Sequence, residues 1–133
     1  MTNNFFKIFA LPQQFAVDLA ALDAKYFELQ KTAHPDMAGG DGLDSAALNN
    51  AYKTLKNRFR RAEYLIELQG DSELVAPPEL LMEMLELREE NSPEKVANVR
   101  AEIENLFAAF AKNPSAEIFV RIKYLNRFLE ENK

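Results

Sequence analysis

The sequence predicts an all-α protein made of a helical hairpin with flanking helices, followed by a three-helix bundle. Apolar residues recur at three- and four-residue spacings. Strand signals are nearly absent: β-branched residues are few, and no Asn-Gly or Asp-Gly turn joins two apolar runs. The charge balance also changes near residue 70. Residues 1–70 carry eight Lys/Arg against eight Asp/Glu, and residues 71–133 carry eight against thirteen, so the net charge of −5 lies in the second half.

Taken in order, a short first helix is expected over Phe5 to Phe9, ended by Leu11-Pro12. Asp18 can cap a second helix whose apolar stripe is Leu22, Tyr26, Leu29 and Ala33, and Pro35 stops it. A loop with three glycines, Met37 to Gly42, follows. Asp44 or Ser45 can cap a third helix with Leu48, Ala51, Tyr52, Leu55 and Phe59 on one side. A fourth runs from Arg60 to Gln69 and ends at Gly70. After a linker over 71–77, Pro78 opens a helix reaching about Glu90. Ser92-Pro93 caps the next, with the stripe Val96, Val99, Ile103, Leu106 and Phe110. Asn113-Pro114-Ser115 breaks it, and the last helix shows Ile118, Ile122, Leu125 and Leu129. Two tight turns make an up-down-up bundle.

A chain of 133 residues, 47% apolar with ten Phe, can bury a core and is not disordered. The absence of cysteine excludes disulfides, thiolate metal sites and cysteine nucleophiles, and suits a cytoplasmic location. No apolar run approaches a membrane span, and the N-terminus does not read as a signal peptide. An acidic chain without a basic stripe is a poor nucleic-acid binder. The cluster Lys56, Arg58, Arg60 and Arg61 goes around its helix and reads as a solvated face.

The singular motif is His34-Pro35-Asp36, which contains the chain's one histidine. Standing alone, a histidine before proline is ordinarily a helix-end residue. Catalysis would need a nucleophile or second base in reach. A metal would need oxygen donors such as Asp41 and Asp44, whose spacing fails the calcium-loop pattern. No metal, cofactor or catalytic residue is expected.

A second candidate site comes from the wheel of residues 80–90. Leu80, Met84 and Leu87 share a core stripe; Leu81, Met82 and Leu85 fall on another side, bordered by Glu86 and Glu89. The last helix has a comparable side stripe of Val120, Tyr124 and Phe128. Such stripes either glue the two modules together or form a protein-binding patch, and wheel geometry leaves both readings open.

His34-Pro35-Asp36 between two helices, with Lys25 and Lys31 before it and Asn49 to Leu55 after it, resembles a J-domain, the activator of DnaK-type heat-shock chaperones. Phe5 to Pro12, Arg61 to Leu65 and Leu85 to Glu90 narrow the resemblance to the HscB co-chaperones of iron–sulfur cluster assembly, over nearly the whole chain. The resemblance implies a J-domain over 1–70, a linker over 71–77 and a scaffold-binding bundle over 78–133. It further implies an HscA/DnaK-type chaperone contacted by His34, Pro35 and Asp36, with Lys25 and Lys31 supplying steering charge. An IscU-type cluster scaffold would be held by Leu81, Met82, Leu85, Glu86, Glu89 and Tyr124. The chain would be no enzyme but an activator of its partner's ATPase. The alternatives are a general J-domain co-chaperone for unfolded clients and a structural helical protein with no chaperone partner. Three features depart from the family: the loop is short, Met37 stands where a lysine is usual, and Arg58 stands where a proline often separates the third and fourth helices. The last leaves that junction free to run on more continuously.

Overall fold

In the computed structural model the described residues are 4–32, 44–70 and 74–132. Among them are seven helices and no strand: α1 (Phe5–Ile8), α2 (Leu19–Gln30), α3 (Ser45–Lys56), α4 (Arg58–Leu68), α5 (Pro78–Glu89), α6 (Pro93–Lys112) and α7 (Ala116–Glu131). The all-α class is as the sequence predicts. The chain divides into two compact units, Met1–Leu65 and Ile66–Lys133, the division falling within α4.

Helix starts follow local side-chain chemistry. The side chains of Asn4, Asp18, Asp44, Ser92 and Ser115 each accept from a backbone N–H in the first turn, satisfying donors that have no partner inside the helix. Of the two candidates for α3, Asp44 is the cap. Pro78 opens α5 without a side-chain cap. Gly70, at φ 88°, lies just beyond α4 in the left-handed region that glycine enters without strain.

The junction between α3 and α4 corrects the expectation of a continuous run. Asn57 is extended, at φ −92° and ψ 123°. Its Oδ1 accepts from the N–H groups of Phe59 at 2.9 Å and Arg60 at 3.1 Å. An asparagine cap thus separates the helices without a proline, and Phe59 belongs to α4 rather than to the α3 stripe.

In the first unit, α3 packs against both α1 and α2. Phe6, Phe9, Phe15, Leu22, Leu48, Ala51, Leu55, Ala62 and Leu65 are buried. Tyr64 joins α1 to α4: its ring stacks on Phe5 at 4.4 Å and its hydroxyl accepts from the Phe5 N–H at 2.9 Å. Arg61 departs from the solvated reading of its basic cluster, being only 7% exposed. Its Nη1 donates to the Leu55 carbonyl at 2.7 Å, and its guanidinium lies 4.6 Å from the Phe15 ring centroid. Burial, with the charge of Arg58 adding to it, holds its pKa below the ordinary arginine value.

In the second unit, α7 packs against both α5 and α6. A helix with two neighbours buries a wide arc. Val120 and Phe128, read from sequence as a side stripe, are therefore core, beside Phe119, Ile122 and Leu125. Ile118 and Leu129 are half-buried. On α6 the buried set is Val99, Ile103, Phe107 and Phe110, with Val96 and Leu106 half-buried. On α5, Leu80 and Met84 are buried and Leu87 is half-buried.

Candidate functional site

His34, Pro35 and Asp36, with Ala33 and the loop from Met37 to Gly42, lie outside the described residues. What is described is the pair of helices that brackets them. Across α2 and α3 the Tyr52 hydroxyl donates to Asp23 at 2.7 Å, and Lys56 pairs with the same carboxylate at 2.8 Å. Those donors, Lys56 first, hold Asp23 below the ordinary aspartate pKa. The Tyr26 hydroxyl donates to Asn49 at 2.6 Å and accepts from Gln30 at 3.0 Å. Of the two lysines, Lys25 is half-buried and pairs with Glu28 at 3.6 Å. Lys31, the C-cap of α2, is exposed and has no ion pair among the described residues.

On α5, the residues of the second candidate site share one helix. Leu81 is 46% exposed, Met82 62% and Leu85 55%, with Glu86 and Glu89 exposed beside them. Met84, two positions from Met82, is 2% exposed. Large apolar side chains left this open in a helix that already has a buried face form a patch, because water contact costs each of them burial energy. Tyr124 is on α7 and half-buried, with Arg127 at 4.9 Å from its ring centroid.

Sequence reading misses what holds α5 in place. Arg121 on α7 donates to Glu83 on α5 at 2.6 and 3.1 Å, and also to Glu102 on α6, tying all three helices together. Glu83 sits below the ordinary glutamate pKa because Arg121 donates to it. Arg88 adds a second tie from α5 to Glu131 on α7, at 3.0 and 3.2 Å. Such cross-helix pairs join residues far apart in sequence, so no local pattern announces them. Stripe reading also passes over the exposed Phe27, which sits about 100° around α2 from Tyr26.

Among the described residues no group of three or more His, Cys, Asp or Glu could hold a metal ion. No helix among them is long and apolar enough to cross a membrane.

This architecture is that of the HscB-type co-chaperones. The solved chaperone HscB from Vibrio cholerae matches with a TM-score of 0.76 and 33% identity, covering 97% of this chain and 94% of that one. Human co-chaperone HscB matches in fold, with a TM-score of 0.78 at 23% identity over 98% of this chain and 80% of that one. A curated co-chaperone HscB homologue from Vibrio cholerae is 42% identical over 100 residues, 65% of this chain; the match spans 58% of that protein's length. No family model matches. The chain belongs to the HscB family.

Proposed function

We propose that the chain is a cytoplasmic, non-enzymatic adaptor for iron–sulfur cluster assembly. A J-domain over 1–70 stimulates the ATPase of an HscA/DnaK-type chaperone through His34, Pro35 and Asp36, with Lys25 and Lys31 steering the encounter. Beyond a linker over 71–77, the bundle over 78–133 holds an IscU-type scaffold through Leu81, Met82, Leu85, Glu86, Glu89 and Tyr124. Hydrolysis takes place in the partner. Joining two modest contacts in one chain raises the effective concentration of scaffold at the chaperone.

The observation that carries this reading is the exposed, acid-edged apolar patch on α5 in a chain of the HscB family. Without a partner, three large apolar side chains there remain in water. The deciding experiment measures the chaperone's ATPase rate with and without this protein and the scaffold. His34→Gln abolishes stimulation while scaffold binding persists. Leu81→Ala combined with Leu85→Ala lowers scaffold affinity without loss of helicity. Stimulation that survives His34→Gln sinks the J-domain assignment, and a melted bundle in the double variant makes those leucines structural.

A further inference from the structure

We propose that Met82 is a redox-modification site, whose oxidation to the sulfoxide by hydrogen peroxide weakens docking at the α5 patch. The inference rests on reading that patch as the scaffold-binding surface.

Met82 is 62% exposed in the middle of an apolar strip, and Met84 on the same helix is 2% exposed. Thioether oxidation follows exposure, so the two sulfurs of one helix have opposite susceptibility. The chain has no cysteine to compete for the oxidant. The reaction is a two-electron transfer. A lone pair on Met82 Sδ attacks one peroxide oxygen, an S–O bond forms and the O–O bond breaks. The departing oxygen leaves as hydroxide and takes the proton from the newly formed S–OH group, giving the sulfoxide and water. A dithiol-driven methionine sulfoxide reductase reverses the step, taking the oxygen off as water.

The surroundings make the product costly to cover. On a helix, the side chains nearest Met82 are those three and four positions away, here Pro78, Glu79, Leu85 and Glu86. None of the four side chains can donate a hydrogen bond while the glutamates are ionised. The sulfoxide oxygen, a strong acceptor, would stand among carboxylates and apolar groups. A partner closing over the strip would bury that oxygen without a donor from these four neighbours. In the reduced form the flexible, polarisable thioether adapts to an apolar partner surface.

The test treats the full chain with hydrogen peroxide, maps oxidised peptides by mass spectrometry, and titrates the protein against the IscU scaffold by calorimetry. The expected result is oxidation of Met82 ahead of Met84, with scaffold affinity falling about tenfold or more at unchanged helicity. Sulfoxide reductase restores it. Whatever its own starting affinity, Met82→Leu is insensitive to peroxide, which separates Met82 from the remaining methionines. Unchanged affinity with Met82 oxidised overturns the inference alone, as does an equal loss in Met82→Leu. Failure of the untreated chain to bind the scaffold overturns the reading of the patch and the inference with it.

Discussion

The rings of Tyr26 and Tyr52 lie face to face between α2 and α3, with centroids 3.8 Å apart and planes within 5°. Each hydroxyl reaches back to the opposite helix, Tyr52 to Asp23 and Tyr26 to Asn49. A stack alone tolerates sliding; two directional hydrogen bonds at its tips do not, so together they fix the register of the hairpin. Tyr52→Phe keeps the stack and loses one donor, costing about 1 kcal/mol in chemical denaturation. Tyr52→Ala loses the ring as well and costs about 2–3 kcal/mol. Equal costs for the two variants would assign the whole effect to the hydroxyl.

Arg61 offers a second test of packing. Its planar group covers Phe15 and reaches the Leu55 carbonyl in the last turn of α3, a geometry that an ammonium cannot copy. Arg61→Lys is expected to lower stability by about 1–2 kcal/mol, read as a shift in urea midpoint. A wild-type midpoint would show that stacking and the carbonyl bond contribute nothing net.

The helix caps were legible because capping is local chemistry. Asp18, Asp44 and Ser92 each stand at a helix start, where a short oxygen-bearing side chain can reach a free N–H. Tertiary context decided the rest. Val120 and Phe128 look like a side stripe on a wheel, yet α7 touches helices on two sides and buries both. Arg61 reads as one more surface charge until Phe15 is brought beneath it. Asn57 carries a break for which proline was the expected signal. In the candidate site, Leu81, Met82 and Leu85 could be separated from the core stripe by angle alone. The clamp through Arg121 could not, since its partners lie 38 and 19 residues away.

That clamp has a pH signature. Glu83 titrates below the ordinary glutamate value because Arg121 donates to it. A carboxylate depressed in the folded state contributes stability that is fully present above its unfolded pKa. The contribution is lost as pH falls through the lower folded value. The urea midpoint of the wild type should therefore drop between about pH 5 and pH 3. Glu83→Gln should start lower by about 1 kcal/mol or less, since the pair is partly exposed, and lose less over the same range. Identical pH profiles for both proteins would show that the pair does not contribute. Asp23, depressed by Lys56 and Tyr52, adds to the same acid limb in either protein.

On α2 the two lysines differ in how much charge they offer to an approaching acidic surface. Glu28, 3.6 Å from Lys25, pairs with it and offsets its field, whereas Lys31 has no ion pair among the described residues. A charge felt before contact acts on the association rate and fades with salt, because the screening length falls from about 10 Å at 0.1 M to about 3 Å at 1 M. If the proposed chaperone contact holds, Lys31→Glu is expected to slow association with an HscA/DnaK-type chaperone about two- to tenfold at low salt, and Lys25→Glu less. The two variants converge on the wild-type rate at high salt. Stopped-flow association across a salt series checks this; a larger effect at Lys25, or a loss that salt does not diminish, would replace long-range steering with direct contact.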